Sequence, residues 1–152
     1  MNKQLAFIGL GRMGAAMTAR LVEQGYEVHG FDASADARAQ AASEGVKTYT
    51  SLEETISMLD ASRTVWMMVP SKYVDRVLEE LRPLLSRDDT IIDGGNSFFQ
   101  DTIHRHSDLL GSQIHYIDCG TSGGVEGARN GASLMVGGQK ETVQKHEHLF
   151  SA

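Results

Sequence analysis

The sequence predicts an α/β domain: a mostly parallel sheet wound by helices on both faces. Three observations carry this. Seven short apolar runs of β type alternate with seven stretches that are amphipathic at helical spacing, the order that a parallel sheet requires. The first three runs hold few charges, as strands covered on both faces do. A length of 152 residues, 41% of them hydrophobic, suffices to bury one sizeable core.

In chain order the predicted strands are LAFIGL (5–10), EVHGF (27–31), VKTY (46–49), TVWMMV (64–69), TIIDG (90–94), IHYIDC (114–119) and SLMVGG (133–138). Predicted helices fill 12–24, 35–43, 52–59, 71–82, 97–110, 122–129 and 139–151. Gly25, Gly45 and Gly111 stand at helix ends, where a left-handed C-cap favours glycine. Pro70 precedes the fourth helix, and Pro83 is expected to stop or kink it after Arg82. The final stretch, ETVQKHEHLFSA, sets Val143, Leu149 and Phe150 at roughly helical spacing and closes without a cap. A single domain over 1–152, with a further domain beyond it, is therefore expected.

Composition excludes several functions. A net charge of -6 with no lysine or arginine cluster argues against a nucleic-acid or anionic-membrane surface, both of which need a positive field. The one cysteine, Cys119, cannot close an internal disulfide, and no Cys/His spacing suits a metal. The start lacks a signal-peptide pattern, and no apolar run approaches the roughly 20 residues a membrane span takes. A cytoplasmic location is expected.

The run Gly9-Leu10-Gly11-Arg12-Met13-Gly14 reads G-x-G-x-x-G directly between the first strand and the first helix. The first glycine permits a tight turn, the second lets a pyrophosphate approach the backbone, and the third lets helix pack on strand. Amides at the helix N-terminus then face the phosphates. Glycines at these positions also serve simply to close a βα turn. Asp32 tips the balance, because it ends the second strand 18 residues after Gly14, where a carboxylate accepts hydrogen bonds from ribose hydroxyls. Such a carboxylate repels a 2′-phosphate, which favours NAD over NADP. The competing role for Asp32 is a cap on the helix starting near Ser34. Strand, glycines, helix and acid in register favour a dinucleotide site on a Rossmann-like, doubly wound sheet. Arg38, the nearest arginine, reads as a solvated helix residue.

In such a sheet ligands sit beyond the carboxyl ends of the strands. Val69-Pro70-Ser71 follows the fourth strand and either lies along a cofactor or forms a loop with a helix cap. Gly94-Gly95-Asn96-Ser97 follows the fifth, with two glycines to free the backbone and a carboxamide that donates and accepts. The run from Gly120 to Gly127 follows the sixth and suits a carboxylate or sugar hydroxyl, unless it is only a structural turn.

The set GLGRMG, MVPS, DGGNS and SGGVEGARNGASLMVGG, in this order, resembles the N-terminal domain of the 6-phosphogluconate dehydrogenases, within the β-hydroxyacid dehydrogenase superfamily, over essentially all 152 residues. The 3-hydroxyisobutyrate dehydrogenase branch, the second candidate, usually has a serine-threonine pattern where this chain has Gly95, Asn96 and Ser97. The resemblance implies that Gly9 to Gly14 hold the pyrophosphate and that Val69, Pro70 and Ser71 line the cofactor path. It implies that Asn96 touches both nicotinamide and substrate, and that Ser122, Gly123 and Gly124 hold a sugar acid phosphate. NADP-using members carry Asn-Arg-Thr where this chain has Asp32-Ala33-Ser34, so the resemblance points to the NAD-preferring branch. The implied reaction oxidises and decarboxylates 6-phosphogluconate to ribulose 5-phosphate, with a lysine base and a glutamate acid from a Lys-x-x-x-Asn-x-x-Glu segment. None of Lys3, Lys47, Lys72, Lys140 and Lys145 stands in that context, so no catalytic residue is expected within this chain. A homo-oligomer is implied for the full-length family member. A free-standing NAD-sensing module is the alternative from another class.

Several remaining residues have plain readings. Lys72 is expected to be a solvated first-turn lysine, and Glu126 a solvated loop acid. His104, His106, His146 and His148 form pairs two apart, the wrong spacing for ligands on one helix face, and read as surface residues. Cys119 and the Trp66-Met67-Met68 run read as packing.

Overall fold

The computed structural model describes residues 2–152. Seven strands form one sheet: β1 (Gln4–Ile8), β2 (Glu27–Phe31), β3 (Lys47–Tyr49), β4 (Thr64–Met67), β5 (Thr90–Asp93), β6 (His115–Ser122) and β7 (Ser133–Gly137). The helices are α1 (Arg12–Glu23), α2 (Ala35–Ser43), α3 (Leu52–Ser57), α4 (Ser71–Leu81), α5 (Phe99–Leu110), α6 (Gly124–Asn130), α7 (Lys140–Lys145) and α8 (Glu147–Phe150). Pro83 ends α4 as expected, in a 3₁₀ turn over Arg82–Leu84.

The strand order is β3-β2-β1-β4-β5-β6-β7. The chain builds outward from β1 to β3, then crosses to the other side of β1 to lay down β4, so β1 and β4 meet at the topological switch point. The first six strands are parallel, as strict βα alternation predicts. The seventh, β7, runs antiparallel to β6 from Asp118↔Gly137 to Ser122↔Ser133, so the sheet is mostly parallel, as expected. Only residues 123–132 link those strands, fewer than the dozen or so that a parallel crossover needs.

Alternation along each strand feeds two cores. Leu5, Phe7, Trp66, Ile92 and Ile117 pack under α1, α2 and α6 with Met17, Leu21, Ala41 and Ala128. Ala6, Ile8, Val65, Met67, Ile91 and Tyr116 pack under α3, α4 and α5 with Ile56, Val74, Leu78 and Leu109. Each fully buried side chain of this size stabilises the fold by roughly 1.5 to 3 kcal/mol. Trp66 sits between Phe7, stacked at 6.0 Å, and Phe150, edge-on at 5.9 Å, and so ties α8 to the sheet.

Other expectations change at the edges. β3 is half exposed rather than covered on both faces, because it is the outer strand. Gly25 and Gly45 take left-handed caps (φ 81° and 92°), whereas Gly111 does not and Gln113 (φ 55°) makes the turn instead. The helix expected over 139–151 divides into α7 and α8 at His146. That histidine is buried, not on the surface: Nε2 pairs with Thr64 Oγ1 at 3.1 Å and Nδ1 with the Thr142 carbonyl at 2.8 Å. Cys119 is packing, as expected, fully buried with its thiol pushed up to about 12.

Candidate functional site: a glycine turn at the switch point

The glycine turn bridges β1 and α1 beside the switch point. Each glycine answers a different spatial demand. Gly9 has φ 98°, and a Cβ there would strike the Met68 carbonyl of the β4 loop. A Cβ on Gly14 would strike the Gly9 carbonyl, so only glycine lets α1 close on β1. Gly11 is the opposite case: nothing lies within 4 Å of where its Cβ would be, and its backbone faces open space. The first bond of the helix runs from Ala15 N–H to the Gly11 carbonyl. The amides of Arg12, Met13 and Gly14 therefore precede the helical ladder, and no acidic residue stands in that first turn. This donor set fits an anionic pyrophosphate.

Asp32 closes the other side. Its carboxylate accepts from Leu10 N–H (2.8 Å) through Oδ2 and from Ser34 N–H (2.8 Å) through Oδ1. Ser34, not Asp32, caps α2, its hydroxyl accepting from Ala37 N–H. The competing cap role for Asp32 is thereby taken by its neighbour, and the acid is bound to the glycine turn instead. Arg38 corrects its reading as a solvated residue: it is half buried and its guanidinium donates to the Asp32 carbonyl at 2.8 Å. That bond braces the turn after β2 without touching the carboxylate.

Two cavities flank the turn. One of about 540 Å³ is lined by Gly9, Asp32, Val69 and Pro70, with Tyr73 and Arg76 of α4 opposite. Another of about 440 Å³ takes in Leu10, Gly11 and Arg12, with Val125 and Arg129 of α6. The α4 wall was not legible in the sequence, because only the crossover brings α4 against the turn after β2. Ser71, which opens α4, is exposed and lines neither cavity.

The loops after β5 and β6 lie side by side, since those strands pair from Thr90↔His115 to Asp93↔Asp118. Asn96 stands exposed three residues past β5. The run after Cys119 corrects an expectation: Gly120, Thr121 and Ser122 are not loop but the overhanging end of β6, paired with β7. Four residues past Asp118, the strand carries Ser122 roughly 13 Å beyond that pair. Gly123 (φ 120°) and Gly124 (φ 61°) then make the turn into α6, and Ser122, Gly123 and Gly124 are all exposed there. The glycines after β5 also differ from expectation, for neither has positive φ; the demand is space. A Cβ on Gly94 would strike the Trp66 indole nitrogen and come within 2.6 Å of Met68 Sδ.

Beneath Asn96 lies a polar group that sequence reasoning missed. Asp93 is fully buried and accepts from Gly95 N–H, the Ser97 hydroxyl and the Tyr116 hydroxyl. Burial first, and the Asp93 charge second, push the Tyr116 phenol above its ordinary range. The same two causes raise Asp118. Arg105 of α5 lies 3.9 Å away and also binds Asp75 at 2.7 Å, holding the Asp75 carboxyl below its usual range. The available signal was one acid closing the apolar run TIID and one arginine on the buried face of α5, four residues before Leu109.

Turn, acid and crevice at the switch point of a doubly wound sheet define a dinucleotide-binding domain. More particularly, the chain belongs to the family described as the NAD binding domain of 6-phosphogluconate dehydrogenase, whose pattern matches residues 4–152. The Bacillus subtilis protein YqeC is 42% identical over 147 residues, 97% of this chain and 50% of its own. The NAD(+)-dependent, decarboxylating 6-phosphogluconate dehydrogenase of Haloferax volcanii is 41% identical over 150 residues, 98% of this chain and 49% of its own. This chain thus spans about half the length of these curated relatives. Among solved structures, 3-hydroxyisobutyrate dehydrogenase of Mycobacterium tuberculosis, determined with L-serine, superposes with a TM-score of 0.92 at 30% identity over 99% of this chain and 52% of its own. Among the described residues no helix is long and apolar enough to cross a membrane.

Proposed function

We propose that this chain is the cofactor-binding half of an NAD-preferring, decarboxylating 6-phosphogluconate dehydrogenase. The observation that carries it is the Asp32 carboxylate, bonded to Leu10 N–H of the glycine turn and facing the same cavity as Gly9, Val69 and Pro70. In this reading the turn from Gly9 to Gly14 holds the pyrophosphate through the amides of Arg12, Met13 and Gly14, Asp32 accepts from the adenosine ribose, and Val69, Pro70 and Ser71 flank the path to the nicotinamide. NAD, when bound, supplies the hydride acceptor. Asn96 orients cofactor and substrate together, and Ser122, Gly123 and Gly124 receive a sugar acid phosphate on the overhang of β6.

The Asp32 carboxylate also sets the preference. A 2′-phosphate on the ribose would meet a fixed negative charge, and Arg38, the cation nearest in sequence, is already turned to backbone carbonyls. The name of the Haloferax relative agrees with this choice. The proton-transferring lysine and glutamate belong, in this reading, to a following helical domain, which also provides the contacts of a cytoplasmic homo-oligomer. The chain by itself is expected to bind NAD and to turn over no 6-phosphogluconate.

A titration of NAD against NADP by calorimetry tests the central claim. Tighter NAD binding is expected; equal or better NADP binding removes the Asp32 argument. The likeness to the mycobacterial structure favours a second reading, a 3-hydroxyisobutyrate dehydrogenase-like oxidoreductase. Assaying the protein joined to its continuation with 6-phosphogluconate and with 3-hydroxyisobutyrate separates the two.

A further inference from the structure

Asn96 is exposed and carried on a loop, yet a group that orients a cofactor must be held to a narrow geometry. What holds it lies directly below. Asp93 Oδ1 accepts from Gly95 N–H at 3.1 Å, and Oδ2 accepts from the Ser97 hydroxyl at 2.7 Å. The carboxylate therefore grips the residue before Asn96 and the residue after it. Oδ2 also accepts from the Tyr116 hydroxyl at 2.8 Å, and Arg105 Nη1, otherwise without a hydrogen-bond partner, lies 3.9 Å away. Tyr116 is on β6 and Arg105 on α5, so the acid is fixed from two further elements. Gly95 is pressed between the same acid and the cofactor wall: a Cβ there would stand 3.2 Å from Asp93 Oδ1 and 3.0 Å from the Val69 carbonyl.

We propose that Asp93 is a positioning residue, which by gripping Gly95 and Ser97 sets the carboxamide of Asn96 at the nicotinamide end of the cofactor. The inference rests on the reading of Asn96 as a cofactor contact. A buried acid that merely staples β5, β6 and α5 together changes stability and leaves no signature in one half of the ligand. A positioning acid does leave one, because Asn96 meets the nicotinamide and not the adenosine.

The experiment uses this chain with Asn96→Ala, Ser97→Ala, Ser97→Thr and the double variant Asn96→Ala/Ser97→Ala. Ser97→Ala removes one grip and leaves the buried acid its bonds to Gly95 and Tyr116, so the fold is retained. Dissociation constants are measured for NAD and for ADP-ribose, which lacks the nicotinamide, beside the unfolding midpoint. Asn96→Ala and Ser97→Ala are each expected to weaken NAD roughly two- to tenfold, the span of one hydrogen bond, and to leave ADP-ribose unchanged. The double variant is expected to be no weaker than Asn96→Ala alone, and Ser97→Thr, which keeps the hydroxyl, to restore wild-type binding. Wild-type NAD affinity in Ser97→Ala, additive losses in the double variant, or an equal loss for ADP-ribose overturns the positioning role. A wild-type chain that binds neither ligand instead sinks the functional reading, and the positioning role with it.

Discussion

At the residue scale, the glycine turn separates packing from ligand demand. Gly14 and Gly11 look alike in a motif but not in space. Gly14→Ala drives a methyl into the Gly9 carbonyl and is expected to destabilise the fold by about 1 to 3 kcal/mol, read as a lowered denaturant midpoint. Gly11→Ala meets no atom and has an extended backbone that alanine adopts, so stability should hold within about 0.5 kcal/mol while NAD binding weakens. A destabilised Gly11→Ala, or one with full affinity, contradicts the open approach to the backbone. For Asp32→Ala the expected loss of NAD affinity is roughly 1 to 3 kcal/mol by calorimetry, the scale of hydrogen bonds to a charged group. Unchanged affinity would leave Asp32 only its bonds to Leu10 and Ser34. These positions were legible because each has a fixed place in a local motif. Asp93 was not, since its partners Tyr116 and Arg105 come from elements distant in sequence.

At the element scale, the junction of α7 and α8 carries a pH dependence. Burial holds the His146 imidazole below its ordinary proton affinity, the Lys145, His148 and His115 charges acting in the same direction against the Thr142 carbonyl. Protons therefore bind the unfolded chain more readily, and stability is fully present above the ordinary histidine value near 6.5 and lost as pH falls toward the depressed native one. Buried His29 on β2 contributes in the same sense, for its desolvation outweighs the bond to Glu27. The urea midpoint is expected to drop between pH 7.5 and 5, and His146→Gln to flatten part of that drop. An identical slope in the variant assigns the dependence to other groups. The sequence placed His146 on the surface because spacing within a helix reports neighbours along that helix only. Thr64, which receives it, begins a strand 82 residues away.

At the scale of the whole molecule, one sheet shares its strands between both cores, so the described fold should unfold as a unit. Trp66, the single tryptophan, tests this because it touches both β1, through Phe7, and α8, through Phe150. Its fluorescence and the far-ultraviolet circular dichroism are expected to share one denaturant midpoint. An earlier fluorescence transition means that α8 undocks before the sheet melts.

The sequence by itself determined the alternation of strands and helices, the glycine turn with Asp32 in register, and the resemblance that names Asn96 and Ser122. Those follow from local periodicity and from short motifs, whose physics is contained in a few consecutive residues. Tertiary structure alone decided the rest. The crossing from β3 to β4 sets Val69, Pro70, Tyr73 and Arg76 across from Asp32, and the short link after β6 reverses β7, whose pairing extends β6 to Ser122, past the end of β5. The buried acid under Asn96 becomes visible only when β5, β6 and α5 are brought together. Strand order and burial are settled by contacts between distant segments, and no window of sequence holds both sides of such a contact.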